Sequence, residues 1–334
     1  MTVEFVFVVG SSRSGTTMVG RILGQQKRVY TFHELHFFEF LWNGPLCSQL
    51  DSSQAVALIS ELIATQRQGY LGRRRPKSFE GEAQQIVGQS QIWTARDVYA
   101  NFLHTEAERF GCQLPCDHTP RNLFYIGELL EAYPRARIIC MVRDPRDVLL
   151  SQKNKWRRRS LGATNIPRRE ALRTWLNYHP VTISRLWRSA ATVVDRFSQH
   201  PSVLVVKFEE LLSAPESTLR DLCSFVEIDF DGSLFDIPQV GSSLQADNTS
   251  ARGISASNIG RWRDGGLTPV EIYLCERITA GMMNRWGYKP SENTPNWAGV
   301  TLALFWFPFH LIGAIFGNFF RARNPIEAIR RRLL

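Results

Sequence analysis

No set of cysteines and histidines in this 334-residue sequence has the spacing of a zinc site. The six cysteines stand at 47, 112, 116, 140, 223 and 275, and only Cys112 and Cys116 lie close together. Cys140 falls in an apolar run and Cys223 in an amphipathic pattern, so the thiols read as free and buried, in a reducing compartment. A leader peptide is also missing from the reading. Met1 to Val9 runs straight into a strand-like segment and a glycine turn, with no basic region, long apolar region and cleavage site, which predicts a cytoplasmic catalytic body. Internal repeats are absent. Acidic residues are the scarcer charge, 31 against 40 Lys and Arg, for a net +9. That excess suits an anionic partner: nucleic acid, an acidic membrane surface, or a polyanionic nucleotide or glycan. No nucleic-acid-binding motif accompanies it. Each basic cluster (Arg73–Arg75, Arg157–Arg159, Arg168–Arg169, Arg330–Arg332) taken singly also fits a solvated face.

What is present is an α/β pattern. Phe5–Val9 is a short apolar β-rich run that ends at Gly10, and a helical pattern follows from Met18 to Leu23. A second run, Arg137–Val142, follows an amphipathic segment at 123–132, and a third, Ser202–Val206, precedes Lys207-Phe208-Glu209-Glu210. Continuous apolar strands separated by helices predict a parallel sheet covered on both faces. The reading is a P-loop-like α/β domain over 1–290, with residues 36–115 as a helical insertion or cap that shapes an acceptor pocket. Residues 168–197 read as helical, with Trp175, Tyr178 and Trp187 toward the core.

Residues 291–334 form a different tail. Trp297–Phe320 has no charged residue and is long enough to cross a bilayer. Spanning would put the arginines of 321–332 on the far side from a cytoplasmic body, against the positive-inside tendency. With Pro308 and His310 interrupting midway, a helix-break-helix or interfacial anchor over 297–332 is the favoured expectation. A single span and a helix packed on the body are the competing ones.

Gly10-Ser-Ser-Arg-Ser-Gly-Thr-Thr17, after a strand and before a helix, is built to hold phosphate: glycines admit close backbone approach and a helix N-terminus points free N–H groups at an anion. Its spacing is that of a nucleoside-triphosphate loop, but Thr16 stands where lysine would reach the β- and γ-phosphates. No metal-binding aspartate is evident after a partner strand, so a kinase or NTPase, which would need magnesium and ATP, is disfavoured. Arg13-Ser14-Gly15-Thr16-Thr17 resembles the 5′-phosphosulfate loop of sulfotransferases that use 3′-phosphoadenosine-5′-phosphosulfate (PAPS). Arg143-Asp-Pro-Arg-Asp-Val-Leu-Leu-Ser151 is similar to that family's 3′-phosphate motif, in which Arg143 offers a planar cation and Ser151 a hydroxyl. Lys207-Phe208-Glu209 resembles a strand-end segment of the bacterial and protein-tyrosine branches, with Phe208 where tyrosine is usual. Asn258-Ile-Gly-Arg261-Trp262 resembles the late lid, from which Arg261 would reach the phosphates. The likeness covers about residues 4–288 and leaves out the tail.

The resemblance implies a metal-independent, direct sulfonate transfer from PAPS to a hydroxyl-bearing acceptor, with no covalent enzyme intermediate. An attacking hydroxyl must lose a proton. Glu34, flanked by His33 and His36, occupies the family's catalytic glutamate position. The bridging oxygen of the leaving nucleotide needs a cation. Where the branch often shows lysine before Thr-Pro, this sequence has His118. Either His118 is that cation, in a pH-dependent way, or Arg13 takes the role and His118 is structural. Lys155, four residues past Ser151, is a weaker phosphate candidate. A catalytically silent, membrane-associated binding protein of the same fold is the alternative from another class. A membrane-attached body would suit a lipid, glycolipid or membrane glycan as acceptor; a packed tail would suit a soluble hydroxyl compound or saccharide.

Overall fold

The computed structural model describes residues 2–69, 76–88, 92–164, 166–318 and 324–333, so Arg73–Arg75 and the junction at 319–323 lie outside the described residues. Five strands form a parallel sheet: β1 (Val6–Gly10), β2 (Val29–Thr31), β5 (Leu114–Asp117), β6 (Arg137–Val142) and β7 (Val203–Lys207), in the spatial order β2-β5-β1-β6-β7. β1 sits at the centre, with Val9 opposite Cys140 and Gly10 opposite Met141. Its five residues are all buried because both faces are covered. Phe7 and Val9 join one apolar layer with Ile138, Cys140 and Val142, while Val6 and Val8 join the other with Ile139 and Met141.

The first layer is closed by helices α2 (Ser52–Gln68), α3 (Glu80–Val87) and α4 (Ala95–Arg109), then α5 (Ile126–Ala132). Residues 36–115 are thus continuous with the main core through Ile59, Tyr99 and Phe102. They are not purely helical, since β3 (Gln49–Asp51) and β4 (Ile92–Thr94) form a small antiparallel pair. Capping boxes start α2 at Asp51 and α4 at Thr94, each satisfying two end N–H groups.

On the other side of β6 come α6 (Pro145–Lys153), α7 (Arg168–Leu176) and α8 (Pro180–Phe197). The single helical stretch expected over 168–197 is two helices, because Pro180 holds His179 in extended backbone. The expectation of a core-facing Trp175 fails for the same reason. Trp175 sits on the short separate α7 and is 56% exposed, while Trp187 on α8 is buried. The opposite face of the sheet is covered by α1 (Thr16–Leu23), α9 (Phe208–Ser213) and α10 (Pro215–Val226). A ribbon of β8 (Pro238–Gln239) and β9 (Asn248–Arg252) precedes α11 (Pro269–Arg285).

The tail is α12 (Trp297–Asn318) and α13 (Pro325–Leu333). Pro308 lies inside α12, so the expected break at Pro308 and His310 does not occur there. A lost hydrogen bond is tolerated within a 22-residue ladder. α12 touches the body through Val300, packed with Val181 and Leu274, and through Asn318, which accepts from Arg173 and donates to Asn177. α13 returns to the body: Arg331 pairs with Glu128 at 2.5 Å and lies over the Tyr125 ring.

Candidate active site

In a parallel sheet all strands end at one edge, and each of the five here is followed by a residue the sequence singles out. Glu34 follows β2, His118 follows β5, Arg13 follows β1, Arg143 follows β6 and Phe208 follows β7. All of these but His118 line one cavity of about 1160 Å³, whose walls also include Gly15, Thr16, Thr17, Ser151, Lys155 and Arg261.

The loop after β1 is tight. Ser14 is fully buried and donates to Ser11 O at 2.6 Å, so it braces the turn and does not face the cavity. Gly15 precedes α1 with φ 101°, and a Cβ there would stand 2.5 Å from the Phe208 ring. No side chain caps α1, which leaves the first N–H groups at Thr16 and Thr17 open toward the cavity. Arg13 itself holds φ 77°, a strained value for a residue with a side chain. That backbone turns its guanidinium across the cavity, where Nε donates to Ser151 Oγ (2.9 Å) and Nη2 to Gly241 O (2.7 Å) and Ser243 Oγ (2.8 Å). Burial, with Arg143 and Arg158 nearby, lowers its pKa to about 10, still charged at neutral pH.

Arg143 leaves β6 and lies over the Phe208 ring at 4.3 Å. Its Nη atoms donate to Arg13 O and Asn258 O, whereas its buried Nε has no hydrogen-bond partner. An enclosed guanidinium edge with a spare donor, the open end of α1 and the Ser151 hydroxyl are a donor set that fits phosphate oxygens. The missing tyrosine hydroxyl at 208 leaves a ring that still supports Arg143. Asp147 ties the lid to α6 by accepting from Gly260 N (2.8 Å) and Trp262 N (2.9 Å), which brings Arg261 to the cavity wall. Asp144 caps α6 and binds Arg146, and Glu209 accepts from Asp144 N, so the other charges of both motifs are structural.

Glu34 is partly exposed to the cavity, with His36 Nε2 3.3 Å from Oε2. Enclosure raises its pKa, but the His36 hydrogen bond and surrounding positive charge outweigh that and hold it at about 2. The segment carrying it is clamped. His33 N donates to Gln66, His36 N donates to Thr119 Oγ1, and Thr119 donates to Asp117. Asp117 is buried and also accepts from Tyr99 OH (2.5 Å) and Asn122 Nδ2 (2.9 Å). Sequence reading missed this clamp, for which the Asp117-His-Thr-Pro segment was the available signal.

His118 is buried with its ring against Gly20 of α1, and Nδ1 has no partner. Burial pushes its pKa down, which disfavours the charged form. Three other contributors had no motif to announce them. They are Gly241 and Ser243, which receive Arg13, and Arg158, which fixes their loop through Asp247 at 2.8 Å.

A sequence profile described as the sulfotransferase family matches residues 6–232. Protein-tyrosine sulfotransferase A of Caenorhabditis elegans is 22% identical over 89% of this chain and 70% of its own length. An uncharacterized Aquifex aeolicus protein is 25% identical over 81% of this chain, which spans only 32% of that protein. Among solved structures, the sulfotransferase domain from the curacin biosynthetic pathway superposes with TM-score 0.54 at 16% identity, covering 87% of this chain and 99% of that one. The corresponding domain of the Synechococcus PCC 7002 olefin synthase gives TM-score 0.51 at 17% identity, covering 86% and 96%.

Proposed function

The chain belongs to the sulfotransferase family, and from that premise we propose that it moves a sulfonate group from PAPS to an acceptor hydroxyl by direct in-line transfer. The observation that carries the reading is the convergence on one cavity of the open α1 N-terminus, the Arg143–Ser151 pair and Glu34. Ser14 braces the loop while Gly15, Thr16 and Thr17 receive the 5′-phosphosulfate. Arg143 and Ser151 hold the 3′-phosphate, Arg13 bridges to Ser151, and Arg261 closes from the lid. His118 supports α1 from below.

Glu34 takes the acceptor proton. Its low pKa in the free protein reflects positive surroundings. The donor's negative charges neutralise those surroundings, which raises Glu34 toward a useful base in the loaded site. As the acceptor oxygen bonds to sulfur, the bond from sulfur to the bridging oxygen breaks and its electron pair leaves on adenosine 3′,5′-bisphosphate.

Calorimetric titration with that bisphosphate, against ATP plus magnesium, tests the reading. Wild type binds the bisphosphate and not ATP, and Arg143→Ala binds it about 10- to 100-fold more weakly. A wild type that ignores the bisphosphate ends the proposal, and magnesium-dependent ATP binding would move it to a phosphoryl transferase.

The tail supports a membrane-facing body that keeps a cytoplasmic orientation. α12 exposes Phe305, Trp306, Phe309 and Phe316, each more than half accessible, while Asn318 and Arg332 line the cavity of Glu34. One apolar helix therefore lies beside the acceptor opening, which favours a lipid or membrane-borne glycan as acceptor over a freely soluble compound. Flotation with vesicles of phosphatidylglycerol and phosphatidylcholine checks this. Wild type co-floats, and Phe305→Ser/Trp306→Ser/Phe309→Ser stays behind; equal behaviour of the two refutes the membrane contact.

A further inference from the structure

Among the described residues, no apolar side chain of 155–176 joins the core. Neither the turn Lys155–Leu161 nor α7 buries a residue. Trp156, Leu172, Trp175 and Leu176 are instead between 40% and 58% exposed. Single exposed apolar residues are ordinary, but three on one side of a nine-residue helix form a patch. At about 100° per residue, Leu172, Trp175 and Leu176 share that side of α7, with Arg168 and Arg169 one turn before them on it. The opposite side carries Glu170, Ala171, Arg173 and Thr174, which line the cavity of Glu34. α7 is thus a wall with the cavity behind it and an apolar, basic surface in front.

The charge is one-sided as well. Residues 155–176 hold seven basic residues against the single acid Glu170. Arg158 and Arg173 are used internally, on Asp247 and Glu170, whereas Arg157, Arg168 and Arg169 are exposed. Arginines on such a face lay their stems along apolar surface and keep their charge at the level of lipid headgroups. The tail continues the surface. α12 meets the end of α7 where Asn318 bonds Arg173 and Asn177, and its Phe309, Ile312 and Phe316 are each more than half exposed. A partner that takes the uncharged α12 therefore also meets α7, and one that takes α7 must be negatively charged. These two requirements select a bilayer rich in anionic lipid over a soluble protein or a second copy of the chain.

We propose that α7 and the turn before it are a membrane-docking face of the body, additional to the tail, which seats the cavity opening at the headgroup level of an anionic leaflet. The face owes nothing to the reaction performed behind it, so it stands or falls apart from the sulfotransferase reading. Its consequence for the site is a short path. An acceptor held in that leaflet has only the width of one helix, about 10 Å, to pass before it meets the cavity.

Hydroxyl-radical footprinting of the full wild-type chain, read by mass spectrometry, tests this without a variant. On vesicles of phosphatidylglycerol and phosphatidylcholine, oxidation of Trp156, Leu172 and Trp175 should fall several-fold, and on phosphatidylcholine alone it should not. Phe110, exposed at the far end of the sheet where β5 begins, should react equally throughout. Leu172→Ser/Trp175→Ser/Leu176→Ser and Arg157→Ser/Arg168→Ser/Arg169→Ser should each need about 10- to 100-fold more anionic lipid for half-maximal flotation, although α12 is intact. Both should melt at the wild-type temperature, since none of these side chains is buried or lines the cavity. Vesicle-bound wild type whose Trp156 and Trp175 stay as reactive as in the free chain, or variants that float like wild type, overturn the proposal and leave the tail's contact standing. Protection that grows with protein concentration in the absence of lipid overturns it in favour of a contact between copies. Equal protection on phosphatidylcholine alone overturns the anionic requirement and the proposal with it. A wild type that floats on neither vesicle defeats both membrane contacts and leaves sulfonate transfer, tested by bisphosphate calorimetry, untouched.

Discussion

At the Arg13–Arg143 end of the cavity the guanidinium groups are already tied to the protein, whereas around Glu34 the charges face one another across space. Arg13 is held by Ser151, Ser243 and Gly241, Arg143 by two backbone carbonyls and the Phe208 ring, and Arg158 by Asp247. Among the described residues Glu34 has only His36 within ion-pair distance, and Lys155 reaches it through its field. The first end is preorganised, so that binding there costs little rearrangement. The second is a set of opposed charges whose protonation responds to what enters, which is what a proton-transfer centre requires.

Substitutions that separate the two ends sharpen this contrast. The largest expected effect is at Glu34. Glu34→Gln should lower turnover by about 10²- to 10⁴-fold, the usual contribution of a general base, while leaving bisphosphate affinity unchanged in calorimetry. A parallel loss of affinity would show that the ends are not separable. A catalytically silent binding protein would be indifferent to the change. Arg143→Ala should do the reverse, weakening the bisphosphate by about 10- to 100-fold through one lost charged hydrogen bond. The smallest effect is expected one layer out. Asp117→Asn places an amide N–H against the Asn122 amide or the Tyr99 hydroxyl, and should cost about 1–3 kcal/mol in chemical denaturation. Because Asp117 acts on Glu34 only through Thr119 and His36, turnover should fall with no change in bisphosphate binding.

The pH dependence follows from the same groups. Glu34, held at about 2, stays ionised through the neutral range in the free protein and so produces no titration there. Lys155, lowered to about 8, carries its charge below that pH and loses it as pH rises through it. Bisphosphate affinity should therefore be full below pH 8 and decline above it in wild type, and this decline should vanish in Lys155→Met.

Much of the frame was legible in the residues. Short apolar runs at 5–9, 137–142 and 202–206 became the three adjacent strands β1, β6 and β7, because a strand buried on both faces has no alternating polar position to disguise it. β2 and β5 were less visible. They are 3 and 4 residues long, and β5 contains a proline and an aspartate. The loop after β1 was readable because its backbone geometry demands glycine and a helix terminus at fixed spacing, and the Arg143–Ser151 segment because it follows a strand directly. His118 and Lys155 were not, since charge state and direction depend on burial and on neighbours brought from elsewhere in the chain. Nothing local distinguishes Lys155 from Lys153, yet one faces the cavity and the other binds Glu271. Pro308 predicted a break in the tail, and its helix continues nonetheless.

By itself, then, the sequence determined the parallel α/β frame and picked out the glycine loop after β1, Arg143, Ser151 and Glu34, which line one cavity. These follow from local rules of burial period, turn conformation and hydrogen-bonding groups. Only the tertiary structure decided which basic groups are tied to partners, that His118 is buried against Gly20, and that Asn318 and Arg332 of the tail reach the cavity of Glu34. Those properties arise from electrostatic fields and solvent exclusion, which act between residues up to about 300 positions apart in the chain and leave no periodic trace along it.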